Sequence, residues 1–100
     1  MQSIEFKRLN GLTPTESSCI LKLLEEVGEV MEIIGKRSSL SGEALKIDQK
    51  YNDGELIMEY MDVAQSAVTA VFTLCEKNGL DVGTIIGVHE AKLRGRGYLK

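Results

Sequence analysis

The chain has few of the residues that mark several common protein classes. Its 100 residues include one proline, one histidine, two cysteines and no tryptophan. A single histidine and two distant cysteines, Cys19 and Cys75, almost exclude a zinc site built from Cys and His ligands. Because there is no CxxC pair, we expect both cysteines to be small buried apolar residues, while a disulfide between two helices stays open as the alternative.

Charge and hydrophobic length exclude two further classes. The 12 basic and 15 acidic residues give a net charge of −3, whereas proteins that bind nucleic-acid polymers usually carry a basic excess. No apolar run approaches the roughly 20 residues that span a bilayer, and the stretch from Met1 to Phe6 lacks the apolar centre of a signal peptide. We therefore expect one cytoplasmic domain over residues 1–100, with neither a membrane nor a nucleic-acid polymer as partner.

The first helical pattern begins with a strong start signal. Thr13 fits an N-cap, Pro14 fits the first helical position, and Glu16 stands where a capping box needs an acid. Apolar residues then recur at steps of three and four, namely Ile20, Leu23, Leu24, Val27, Val30, Met31 and Ile34. This periodicity predicts an amphipathic helix from about Pro14 to Gly35.

The second helical pattern is longer and more apolar. It starts with the capping signal Asn52 to Glu55, runs to about Lys77, and stops at Asn78-Gly79. Its apolar residues cover about half of the circumference, which is more than one neighbouring helix can bury. This helix therefore needs more partners than one other helix can supply.

The remaining segments predict a short helix and a third long one. The connector over residues 38–53 has room for a short helix at 43–50, and a last helix begins near Asp81. His89 lies on the apolar side of that helix, which favours a core or capping role over catalysis. Since no segment alternates as a strand does, the predicted fold class is all-α, with about three to four helices per chain completed by oligomerisation.

Two acidic pairs are the strongest candidates for chemistry. Glu26 and Glu29 lie three residues apart at the edge of the first apolar face, and Glu59 and Asp62 repeat this arrangement on the long helix. If the two faces pack together, four carboxylates converge, and a divalent cation relieves their repulsion. Hard oxygen ligands select Mg²⁺ or Mn²⁺ over zinc. The alternative is a solvated acidic face, with Lys22 within helical reach of the first pair.

The basic C-terminal tail is the second candidate. Lys92, Arg94 and Arg96 lie near the glycines Gly95 and Gly97 and are suited to holding phosphate oxygens. Positive charge also suits the C-terminal end of any helix, and the residues alone favour that simpler interpretation. Tyr98 is suited to stacking on a base, although one aromatic residue is weak evidence.

Three motifs in order resemble a known enzyme family. EEVGE over residues 25–29, followed by MEYMD over 58–62, resembles the EExxE…ExxD signature of MazG-like nucleotide pyrophosphohydrolases, which belong to the all-α NTP pyrophosphatase superfamily. The ending HEAKLRGRGY over residues 89–98 resembles the HxxKLxxRGY ending of short bacterial and phage-type members. The resemblance extends from about Leu12 to Lys100, and the joint occurrence is far more specific than any one motif.

The resemblance implies a reaction and a role for each motif residue. Members cleave a nucleoside triphosphate to the monophosphate and pyrophosphate, with Mg²⁺ as cofactor and Mn²⁺ as a possible substitute. They form dimers or dimers of dimers, which fits the apolar excess of the long helix, so we expect at least a homodimer. Carried over by motif, the metal ligands are Glu26, Glu29, Glu59 and Asp62. Either Glu25 or Glu26 activates the attacking water. The substrate-binding residues are Lys92, Arg96 and Tyr98, with Arg94 at a variable position.

Departures from the family pattern leave alternatives open. Many members have a second acid directly before the ExxD motif, where this chain has Met58. The related phosphoribosyl-ATP pyrophosphohydrolases usually have a histidine soon after their aspartate, whereas Val63 to Ser66 follow Asp62 here. That enzyme and a non-catalytic helical module, for oligomerisation or nucleotide binding, are the alternative functions. The sequence does not identify the base.

Overall fold

The regular secondary structure of the described residues is entirely α-helical. The computed structural model describes residues 2–38 and 53–100, and over these ranges it contains three helices and no strand. The helices are α1 (Glu16–Ser38), α2 (Asp53–Asn78) and α3 (Val82–Gly95). The all-α prediction is confirmed for this part of the chain, and the short helix predicted over 43–50 lies outside it. None of the three helices is both long and apolar enough to cross a bilayer.

Helix α1 begins two residues later than its sequence signal suggests. Thr15, not Thr13, is the cap: its Oγ1 accepts from the Ser18 amide at 3.1 Å, and its own amide donates to Ser18 Oγ at 2.8 Å. This reciprocal pair is a capping box with serine in the place usually held by an acid. The N-cap predicted at Thr13 is therefore wrong. Glu16 instead forms an ion pair with Lys77 of α2 at 3.1 Å.

Glycines end both of the later helices. Gly79 and Gly97 have φ angles of 65° and 82°, in the left-handed region that glycine enters without strain. The residue after each glycine donates a backbone hydrogen bond to the carbonyl five residues earlier. The Leu80 amide donates to the Cys75 carbonyl and the Tyr98 amide to the Leu93 carbonyl, both at 2.9 Å. These are Schellman motifs, so the predicted stop at Gly79 is confirmed.

Helices α1 and α2 form an antiparallel hairpin. The ion pair between Glu16 and Lys77 joins the start of α1 to the end of α2, and further along Cys19 Sγ donates to Thr73 Oγ1 at 3.6 Å. Helix α3 contacts α2, and Asp81 caps it by accepting from the Thr84 amide at 3.0 Å. The hairpin is therefore the part of the fold that brings the two acidic motifs face to face.

The core between the helices is thin. Its buried apolar side chains, among the described residues, are Cys19, Val30 and Cys75. Both cysteines are free and buried, as the sequence predicted. His89 is exposed, so of the core or capping role expected for it, the core role is wrong in the single chain.

Much of the predicted apolar surface stays uncovered in one chain. Leu24 and Met31 of α1 are 61% and 65% exposed, and Ile57 of α2 is 58% exposed. At 100° per residue, the exposed apolar residues Ile20, Leu24, Val27 and Met31 share one face of α1. We call the exposed apolar residues of the two hairpin helices the apolar stripe, defined by Ile20, Leu24, Val27, Met31, Ile57, Tyr60, Val71 and Leu74. A groove of about 490 Å³ is lined by two of them, Ile20 and Leu74.

The segment before α1 lies against the other side of α2. Gln65 Nε2 donates to the Lys7 carbonyl at 3.1 Å, and Arg8 donates to both carboxylate oxygens of Glu76, with 3.3 Å from Nη2 to Oε2. The carboxylate of Glu76 holds the pKa of Arg8 above its ordinary value, and the guanidinium lowers the pKa of Glu76. These contacts hold the N-terminal segment, residues 7–14, beside the hairpin.

Candidate metal centre and the adjoining cavity

Glu26 occupies a position that would normally hold an apolar residue. It follows Cys19 and Leu23 and precedes Val30 along the line of α1 that faces α2, and it is only 6% exposed. Its Oε1 accepts from Lys22 Nζ at 2.9 Å, while its Oε2 is buried with no hydrogen-bond partner. Burial of a charged oxygen without a partner is costly, and a cation bound at this atom would remove that cost.

Two acids of α2 meet Glu26 across the hairpin. One carboxylate oxygen from each of Glu26, Glu59 and Asp62 lies within 4.8 Å of the others. Glu59 is half-buried, and its Oε2 is also buried without a hydrogen-bond partner. Asp62 is exposed towards the adjoining cavity. Two orphaned carboxylate oxygens at one junction distinguish this cluster from an ordinary solvated acidic face.

Glu25 and Glu29 extend the cluster along α1. Glu25, Glu26 and Glu29 form a second group whose carboxylate oxygens lie within 4.8 Å of one another. The pKa of Glu29 is raised to about 6, chiefly by its hydrogen bond with Glu59 and then by the negative charge of Glu26. The structure therefore brings together the four acids that the sequence placed on two facing helices, with Glu25 beside them.

A cavity of about 480 Å³ opens next to the cluster. Glu26 and Asp62 line one part of it, and the N-terminal segment forms another wall through Leu9, Leu12 and Pro14. Ser66, which is buried, adds a hydroxyl group. The remaining lining residues are Thr13, Ser18, Cys19, Lys22, Gln65 and Thr69. A concave, largely apolar space with a few polar groups at one end has the size and chemistry of a small-molecule site.

The tail residues lie away from the cluster in the single chain. Lys92, Arg96 and Tyr98 are exposed at the end of α3, and within the described residues no ion pair joins them to the clustered acids. Arg94 pairs with Glu90 at 3.6 Å and donates from Nε to the Lys100 carbonyl at 3.1 Å. Gly97 is explained by the Schellman motif, so helix termination accounts for part of the tail's sequence without any ligand.

Sequence reasoning missed the role of Lys22 and of the N-terminal segment. Lys22 stood out only as a nearby positive charge, although its spacing of four residues before Glu26 predicts contact on a helix. Leu9 and Leu12 have no periodic pattern around them, so no sequence signal placed them at a cavity wall. The burial of Glu26 was also missed, because its charge suggested a position at the edge of the apolar face of α1.

Comparisons of the chain with protein-family models, with curated proteins and with solved structures returned no match. The resemblance to the MazG-like enzymes therefore depends on the three motifs, and any function on the geometry of the acids and the cavity.

Proposed function

We propose that this protein is a Mg²⁺-dependent nucleoside triphosphate pyrophosphohydrolase that acts in clearing the nucleotide pool. The observation that carries the proposal is the meeting of Glu26, Glu59 and Asp62 within 4.8 Å, with two buried carboxylate oxygens lacking a hydrogen-bond partner. The motif resemblance supports the same reaction independently of this geometry.

The donor set fits a hard divalent cation. Carboxylate oxygens are the ligands that Mg²⁺ and Mn²⁺ favour, and orphaned oxygens are the atoms that a cation would satisfy. The residues that would hold Mg²⁺, with Mn²⁺ as a substitute, are Glu26, Glu29, Glu59 and Asp62. When bound, such an ion neutralises phosphate charge and lowers the pKa of a coordinated water.

The reaction assigned to the site breaks one phosphoanhydride bond. The oxygen of a water molecule attacks the α-phosphorus, the bond from that phosphorus to the α,β-bridging oxygen breaks, and pyrophosphate leaves. Glu25 or Glu26 orients the water and accepts its proton, since both carboxylates lie in the acidic group on α1. The cavity accommodates the nucleoside part beside the cluster, because its volume of about 480 Å³ falls within the usual range for small-molecule sites.

A second copy of the chain completes the assembly in this proposal. The apolar stripe supplies an uncovered surface for a homodimer or a dimer of dimers. In such an assembly Lys92, Arg96 and Tyr98 bind substrate, and a partner chain can bring them to the phosphates.

Product analysis tests the reaction. The purified protein is incubated with a panel of NTPs and dNTPs, with and without Mg²⁺, and the products are separated by ion-exchange chromatography. We expect monophosphate and pyrophosphate only when the metal is present. Diphosphate plus free phosphate would contradict the assigned bond. Turnover of phosphoribosyl-ATP alone would identify the related enzyme, and absence of all turnover would favour a non-catalytic module.

The variant Glu59→Gln tests the site. Because it removes a charged ligand at nearly constant volume, we expect the rate to fall at least ~100-fold with helical content unchanged. The matched control is Glu16→Gln, which removes an exposed carboxylate at the far end of the hairpin and should leave the rate unaltered. A Glu59→Gln protein as active as the unchanged one would refute the site assignment.

A further inference from the structure

Among the described residues that line the cavity of about 480 Å³, Lys22 is the only cation. Its Nζ lies 2.9 Å from Glu26 Oε1 and 3.7 Å from Glu25 Oε1, and its side chain is 56% exposed. Both carboxylates raise the pKa of the ammonium group above its ordinary value, with the hydrogen bond to Glu26 as the largest cause. Lys22 therefore stays charged and stands between the acidic cluster and the open cavity.

In the chain without a bound metal, the ion pair between Lys22 and Glu26 offsets the charge of a buried carboxylate. Glu26 is almost fully buried, and Lys22 is the one cation paired with it in the described part of the chain. A divalent cation at the cluster draws on the same negative charge and weakens the hold of Glu26 on the ammonium. Because the lysine side chain is long and flexible, its Nζ can then swing away from the helix surface.

A triphosphate would enter the same space. It brings several negative charges next to carboxylates that repel it, and one metal ion does not balance them all. Arg94 of the tail is already paired with Glu90, and Lys92 and Arg96 have no ion pair with the cluster in the described chain. Within the described part of one chain, Lys22 is the cation that lines this cavity, and lysine binds phosphate as a point charge.

We propose that Lys22 is a substrate-binding residue that exchanges its bond to Glu26 for a phosphate oxygen of the substrate when the metal binds. This inference rests on the proposed function and adds a residue to it. The competing explanation is an ordinary ion pair between residues four apart on a helix, which stabilises α1 and has no part in binding.

The two explanations differ in how substrate and metal binding respond to Lys22→Gln. If Lys22 binds phosphate, the variant should raise KM for the best NTP at least tenfold. It should weaken binding of the α,β-methylene analogue of that nucleotide, in the presence of Mg²⁺, by a similar factor. Binding of Mn²⁺ to the substrate-free protein should stay equal or become tighter, because a competing cation has been removed. Lys22→Arg should restore most of the affinity.

Lys77→Gln is the matched control, because it also removes an exposed lysine from an ion pair with a glutamate. KM and Mn²⁺ binding should both be unchanged in it. An unaltered KM in Lys22→Gln would overturn the proposed role of Lys22, and so would a parallel loss of Mn²⁺ and analogue binding. Neither result would contradict the proposed function of the protein. Failure of the unchanged protein to turn over any NTP and to bind the analogue would overturn the proposed function together with the role of Lys22.

Discussion

At the scale of single residues, the acidic cluster has two features that sequence spacing alone does not supply. Glu26 is buried in the line of side chains that faces α2, and two carboxylate oxygens lack partners. Helical geometry predicted that Glu59 and Asp62 share an edge of α2. Their closeness to Glu26 depends on the axial register of α1 against α2, and tertiary packing sets that register.

The pH dependence of the metal-free protein should reflect Glu29. Its pKa of about 6 in the folded state lies above the ordinary value of 4.5, so the folded chain holds a proton that the unfolded chain has already released. The stability from this proton is fully present below about pH 4.5 and is lost as the pH rises through 6. In EDTA we therefore expect the free energy of unfolding to fall across this window.

Urea unfolding at several pH values measures the effect, with Glu29→Gln as the comparison. Because glutamine mimics the protonated acid and does not titrate, the variant should show a shallower fall between pH 4.5 and 6. Equal slopes in both proteins would mean that Glu29 is not the group responsible.

At the scale of elements, the start of α1 provides a direct test of the corrected cap. Thr15→Ala removes the hydroxyl that accepts from the Ser18 amide and should lower the free energy of unfolding by about 1 kcal/mol. Thr13→Ala, two residues away, should change it by less than about 0.5 kcal/mol. Chemical denaturation of the two variants distinguishes them, and a larger loss for Thr13→Ala would restore the sequence-based cap.

The N-terminal segment should become accessible to protease when one bond is removed. Gln65→Ala eliminates the hydrogen bond to the Lys7 carbonyl, so limited trypsin digestion should cleave after Lys7 and Arg8 faster than in the unchanged protein. Gln2→Ala, a change at an exposed residue that precedes this segment, is the control. Mass spectrometry of the fragments gives the rates, and identical rates would show that this bond does not hold the segment.

Most of the helical framework was predictable because its signals are local. The stop at Gly79 and the periodicity of α1 were read directly from neighbouring residues. The start of α1 was placed two residues early because a proline fits two kinds of position. It is compatible with the first residue of a helix and equally with the extended segment in which Pro14 actually lies. A core role was one of the two roles expected for His89, because periodicity identifies the apolar side of a helix but does not show what covers that side.

At the scale of the whole molecule, the apolar stripe predicts self-association. Leu24→Lys places a charge in the middle of the stripe and should shift a dimer towards monomer in sedimentation equilibrium, because an unpaired charge is costly in an apolar interface. Ile4→Lys is the control, since Ile4 is equally exposed but lies in the N-terminal stretch. A monomeric unchanged protein at concentrations of tens of micromolar would refute the proposed dimer.

The glycines that end α2 and α3 have a consequence for how the sequence can drift during evolution. Gly79 and Gly97 are required by backbone geometry, whereas Glu59 has no structural partner for its buried oxygen and is assigned a functional one. A duplicated gene released from selection for activity would therefore retain both glycines for as long as the protein must fold. Its codon for Glu59 would be free to change, and apolar replacements there would be favoured.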